Sequence, residues 1–179
     1  MKHIILILSL LVAFSQVKSQ TINSDASVVE FSIIKFKWNK VKGTFKGMQG
    51  EVSFDKDNLS ESHFNVSVDP STVNTGSKKR DKHLNTEDFF HVEKYKTITF
   101  KSKLIRKDGE SYIADGSMTM HGVTKDVSIP FTVVTAGDSS TLEGEIEVDR
   151  FDYGVGAEKY SGTFMVGQMV KVKIICTLE

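Results

Sequence analysis

Residues Arg80 to Phe100 read RDKHLNTEDFFHVEKYKTITF. A charged, helix-like segment runs through two adjacent phenylalanines straight into a period-two strand. On either side, the chain is built almost wholly from alternating apolar and polar residues. The stretch therefore reads as one short helical insertion, around residues 77–90, in an all-β domain. A single antiparallel barrel accommodates that arrangement.

Upstream, Val29, Phe31 and Ile33 share one strand face, and Ile34, Phe36 and Trp38 continue with the phase offset by one residue. A bulge near Ile33-Ile34 would return both runs to the same side. Met48 to Phe54 and Phe64 to Val68 each alternate with one wet face, and the DKDN stretch at Asp55 to Asn58 supplies turn residues between them. Downstream, Ile98 to Leu104 leads to a turn at Lys107-Asp108-Gly109. Tyr112 to Met120 and Val127 to Val133 flank a hairpin at His121 to Lys125, and two further strands run from Leu142 to Val148 and from Val170 to Cys176. About eight strands result, the number at which a closed barrel just encloses a small ligand. Pro70 lies outside the strands of this layout, and no repeat or linker divides the chain.

The first 19 residues carry Lys2 and His3, an apolar run from Ile4 to Phe14, and Val17 and Ser19 at the end. This is the pattern of a secretory signal peptide, too short to span a bilayer, with cleavage expected after Ser19. Residues 20–179 then form one soluble, exported domain, periplasmic or secreted. Without Lys2 and Lys18, the basic residues number two fewer than the 23 acidic ones. Bulk charge therefore offers no attraction to nucleic acid. The sole cysteine, Cys176, can form no intrachain disulfide, so sheet and core alone must hold the domain.

Four ordered blocks carry a resemblance. Arg80-Asp81, His83-Leu84, Asp88-Phe89-Phe90, Tyr95, Ile98 and Phe100 make the first. The others are Gly116 to Lys125 with Val127, Asp149-Arg150-Phe151-Asp152-Tyr153-Gly154, and Val41-Lys42-Gly43-Thr44-Phe45. Together they resemble the signatures of the YceI-like family, in order and over nearly the whole of residues 20–179. Lys35 and Lys37 stand where many relatives carry a histidine and a glycine, and Lys96 where proline is frequent. The resemblance implies an extended, lipocalin-like antiparallel barrel with an elongated apolar cavity that holds polyisoprenoid chains, isoprenoid quinones among them. The aromatic and methionine residues have two readings, a filled core or a tunnel wall; with the resemblance, the tunnel is the expectation. Its lining is expected from Phe31, Ile33, Phe36, Phe54, Phe64, Phe89, Phe100, Met118, Met120, Phe131, Tyr153 and Phe164.

Motifs for chemistry are sparse. His63, His83, His91 and His121 match no zinc spacing, and no nucleophile elbow, zincin or phosphate loop occurs. Glu143, Glu145 and Glu147 fall on the wet face of one strand, opposite Leu142, Ile146 and Val148. Arg80-Asp81 reads as a structural pair docking the insertion. The expectation is a non-enzymatic carrier that needs no cofactor or metal and holds an amphipathic lipid, as a monomer or homodimer. Its basic run Lys78-Lys79-Arg80-Lys82 is placed to touch membrane transiently during loading. Burying apolar surface yields about 25 cal/mol per Å2 from water, but far less for a tail that starts in a bilayer, so loading should be reversible. An enzyme with an apolar substrate, or a ligand-free structural or stress-related envelope protein, are the alternatives.

Overall fold

The computed structural model describes residues 19–36, 38–137, 139–157, 160 and 166–179. The leader expected in residues 1–19 lies outside the described residues except for its last position. Nine strands form one antiparallel sheet: β1 Val28–Lys35, β2 Asn39–Phe45, β3 Gln49–Ser53, β4 His63–Val68, β5 Ile98–Asp108, β6 Ser111–Met120, β7 Val123–Ala136, β8 Ser139–Asp149 and β9 Val166–Leu178. Their spatial order is β2-β1-β9-β8-β7-β6-β5-β4-β3. The two edge strands, β2 and β3, are consecutive in the chain and joined by residues 46–48 alone. Such a link spans roughly 10–14 Å, so the sheet curls until its two edges approach.

Isolated bridges draw the edges together. Gln20 pairs with Val52 and Ile22 with Leu178, so the segment before β1 crosses from β3 to β9. On the other side, Thr44 of β2 bridges Asn74. The result is a curled half-barrel in which four neighbouring pairs, β1–β2, β5–β6, β6–β7 and β7–β8, are joined by short turns. At His121-Gly122 both residues adopt positive φ, 52° and 77°, the two-residue turn whose twist matches antiparallel strands. The DKDN turn also forms: Asp55 Oδ1 accepts from the Asp57 N–H at 2.9 Å, and the Asp55 carbonyl accepts from Asn58 at 3.1 Å.

The helical part of the insertion, α1, is shorter than residues 77–90: only Lys78–Leu84 are α-helical, and turns carry the chain on to β5. Arg80 and Asp81 dock it, though through a shared threonine. Arg80 Nε and Nη2 donate to Thr75 Oγ1 and to the Thr75 carbonyl, each at 2.7 Å, while Asp81 Oδ1 accepts from the Thr75 N–H at 2.9 Å. The insertion ends against the β6–β7 turn, where the Tyr95 ring lies 4.8 Å from that of His121. A Cβ at Gly122 would come within 2.6 Å of Tyr95, so only glycine admits this contact.

The expected bulge is real, but its extra residues belong to β9. Ile33 pairs with Val170 and Lys35 with Val166, so β1 advances two residues while β9 advances four. Register between β1 and β2 continues unbroken from Val29 to Lys35. β1 therefore keeps its alternation, and Val29, Phe31, Ile33 and Lys35 face inward together. Ile34 and Phe36 are left outside, 46% and 45% exposed.

The outer face is a ladder of charge. Lys173 meets Glu143 at 2.8 Å, Lys171 meets Glu147 at 3.5 Å, Lys103 meets Asp126 at 2.7 Å and Arg106 meets Asp115 at 2.7 Å. These solvated pairs define the wet surface more than they stabilise it. The three glutamates of β8 lie on this face; Glu145 and Glu147 line a shallow outer cleft with Lys40, Lys42, Lys171 and Lys173, away from the inner space.

Candidate functional site: an apolar cavity closed at one end

The inner space divides along the strands. At the end where β5 meets β6, four aromatic rings fill it: Phe54 lies 5.0 Å from Tyr112 and 5.7 Å from Phe131, and Phe131 lies 5.4 Å from Phe64. Edge-to-face packing of this kind suits aromatic quadrupoles. Toward the insertion, the sheet encloses a cavity of about 360 Å3, within the roughly 300–1,000 Å3 usual for small-molecule sites.

Inward positions of the curled sheet make the wall. Val29, Phe31 and Ile33 come from β1, Phe100 from β5, Met118 and Met120 from β6, Ile146 and Val148 from β8, and Val170, Val172 and Ile174 from β9. Leu84, Phe89 and Phe90 cover it from the insertion, and Phe90 packs edge-on to Phe45 at 5.4 Å. Polar side chains gather toward the insertion: Lys35, Thr75, Arg80 and His83. His83 Nε2 lies 3.1 Å from the Tyr160 hydroxyl and 3.4 Å from Asp88 Oδ2. Arg80 is already committed to Thr75.

The structure thus brings six predicted lining residues together: Phe31, Ile33, Phe89, Phe100, Met118 and Met120. Phe54, Phe64 and Phe131 also face inward, but they form the aromatic plug at the opposite end. Phe36 is turned outward, and Phe164 lies outside the described residues. Tyr153 is buried in the short 3-10 turn Arg150–Tyr153 rather than in the cavity wall. The aliphatic lining from Val29, Val41, Val66, Ile146, Val172 and Ile174 went unpredicted. These residues share the inward phase of the aromatic residues, and that phase was the signal available to find them.

Arg150 is 4% exposed and braces this end of the barrel. Its Nε donates to the Gly167 carbonyl at 2.8 Å, Nη1 to Val155 at 2.7 Å and Gly156 at 3.0 Å, and Nη2 to Tyr160 at 2.7 Å and Val166 at 3.3 Å. Burial lowers its pKa from the ordinary guanidinium value, with the Asp149 charge opposing that shift. A guanidinium remains charged throughout the physiological range.

Burial pushes the Tyr153 phenol up to about 12 and the Cys176 thiol up to about 11. Both groups are neutral when folded and ionise more readily when unfolded. Their contribution is therefore complete below pH 9 and is lost as pH climbs through 9–11 for the thiol and 10–12 for the phenol. The Tyr153 hydroxyl is buried without a hydrogen-bond partner among the described residues. Tyr153→Phe should therefore leave stability at pH 7 unchanged or slightly raised and flatten its decline between pH 10 and 12. Urea melts across that range would show both effects; a large loss at pH 7 would reveal a hydroxyl contact.

Among the described residues, no group of three or more His, Cys, Asp or Glu is placed to hold a metal ion, and no helix is long and apolar enough to cross a membrane.

The sequence pattern of the YceI-like domain matches residues 20–178. The chain belongs to the YceI-like family. Protein YceI of Escherichia coli O157:H7 is 36% identical over 132 residues, 69% of each chain. Burkholderia cenocepacia BcnA superposes with a TM-score of 0.83 at 24% identity, over 87% of this chain and 98% of that one. A polyisoprenoid binding domain from Saccharophagus degradans superposes with a TM-score of 0.70 at 16% identity, over 90% and 97% of the two chains. At these identities, the structural matches establish the shared fold. Within the YceI-like fold, the cavity is the space between the sheet's inner face and the insertion.

Proposed function

We propose that this protein is an exported lipid carrier that holds the tail of an amphipathic molecule, a polyisoprenoid or isoprenoid quinone, in the cavity without chemical change. Its task on this reading is transport, storage or protection of that molecule in the cell envelope. The observation that carries the reading is the cavity itself: apolar walls from nearly every strand, an aromatic plug at one end, and polar groups at the other. A tail entering past Lys35 and Arg80 would meet chiefly hydrocarbon, aromatic faces and two pliable methionines, and its head group would stay among the polar residues. The YceI-like fold, shared with a polyisoprenoid binding domain, supports the same ligand class.

Delipidated protein titrated with a branched prenyl alcohol and with palmitate tests the selectivity. The prenyl chain should bind at least about tenfold more tightly, a difference of about 1.4 kcal/mol. Equal affinity would contradict a prenyl-selective tunnel.

One arrangement favours the enzymatic alternative, the convergence of His83, Tyr160 and Asp88 beside the cavity. Arg80 and Thr75 nearby satisfy each other, and the hydroxyl beside His83 is the Tyr160 phenol at 3.1 Å; the apolar lining of the cavity favours binding as the better-supported role.

A further inference from the structure

The connection between β1 and β2 presents large apolar side chains to solvent. Trp38 is 88% exposed and Phe36 45%. The turn is tight: the Trp38 N–H donates to the Phe36 carbonyl at 2.7 Å, and Phe36 adopts φ 50°, a left-handed conformation unusual for an aromatic residue. Ile34 and Met169, 46% and 47% exposed, flank the turn on the outer face of β1 and β9. An exposed cluster of this kind marks an interaction surface.

Two further observations identify the partner. The first is charge: Lys40 lies directly across from Ile34, and Lys42 from Ser32. Both lysines are exposed and neither makes an ion pair among the described residues. Lys78, Lys79 and Lys82 add exposed positive charge on α1, whose Arg80 lines the same cavity as Lys35. Acidic groups face this region too: Glu30, Glu145 and Glu147 share an outer cleft with Lys40 and Lys42, but Glu30 and Glu145 lie directly across from Lys173, Glu147 is held by Lys171, and Asp149 accepts from the Phe151 N–H and Gln168. The second observation is continuity: Lys35, a cavity-lining residue, immediately precedes Phe36.

We propose that the β1–β2 tip is a bilayer-docking element. Trp38 and Phe36 enter the interfacial layer of an anionic membrane, Lys40 and Lys42 meet its head groups, and the polar end of the cavity comes to rest on the lipid surface. Tryptophan favours this interfacial depth, and lysines near an anionic surface are drawn to it. This inference rests on the lipid-carrier reading, because it gives the cavity a route to its ligand.

Trp38 is the only tryptophan in the chain, so intrinsic fluorescence reports on the tip alone. Phosphatidylcholine vesicles containing phosphatidylglycerol should shift its emission to the blue, and brominated acyl chains should quench it; pure phosphatidylcholine should do so far less. K40E/K42E should weaken vesicle binding about tenfold or more, and Phe36→Ser should reduce quenching, with prenyl alcohol binding in solution unchanged in both. Unaltered emission with anionic vesicles would overturn the proposal. So would a blue shift that appears without vesicles and grows with protein concentration, which would assign the tip to contact between copies. Prenyl binding is measured on the same samples: binding without Trp38 insertion overturns docking alone, and insertion without prenyl binding overturns the carrier reading alone.

Discussion

Arg150→Ala lowers the stability of this protein by about 3–5 kcal/mol, the cost of leaving two or three buried carbonyls unsatisfied, and its melting temperature by about 10 °C. The reason lies in the acceptors. A single guanidinium satisfies the carbonyls of Val155, Gly156, Tyr160, Val166 and Gly167. Removing it strands several of them in a low-dielectric site, where each unsatisfied group costs about 1–3 kcal/mol. No ion pair to Arg150 occurs among the described residues, so the effect is hydrogen bonding rather than charge pairing. Arg150→Lys keeps the charge but loses the fork that reaches separate carbonyls, and it should recover only a minor part of the stability. Denaturant melts of the three proteins decide this; a loss below about 1 kcal/mol for Arg150→Ala would show that water replaces the side chain without cost.

The second large effect is on ligand length. Met120 lines the cavity near the insertion, and Met118, two residues earlier on β6, lies deeper beside Phe100. Met118→Trp fills the interior and should reduce retention of a long prenyl chain at least about tenfold, a change of about 1.4 kcal/mol. Met120→Trp, closer to the polar end, should narrow the entrance and reject long tails similarly. Overpacking costs about 1–3 kcal/mol, which the thermal melt of each variant measures separately from binding. Unchanged retention of the longest tail by both folded variants would remove β6 from the binding wall.

Alternation along the chain was enough to read the antiparallel sheet and the single interruption between Gly76 and Lys96. It also gave the inward phase of Phe31, Ile33, Phe100, Met118 and Met120. Period two assigns a residue to a face but says nothing of its height along the strand. Phe54, Phe64 and Phe131 therefore looked equivalent to the cavity-lining aromatic residues, although register places them in the plug. Phe36 failed for a different reason: the phase slip after Ile33 is real, but a bulge has two strands, and its extra residues lie near Gly167 on β9. Arg150 appeared only as part of a motif, because its partners are backbone carbonyls distributed over residues 155–167, and no side-chain pattern announces them. The bias of the β1–β2 turn toward solvent was likewise invisible until Trp38 and Phe36 were seen outside the sheet.

The most direct test of the carrier account is to purify the protein from its native source without detergent, extract it with organic solvent and identify bound lipids by mass spectrometry. An unrelated protein purified in the same way serves as the control. The account predicts one prenyl species in near-stoichiometric amount, absent from the control and depleted in Met118→Trp. A clean extract from well-folded protein, or the same lipid mixture in both samples, would contradict it.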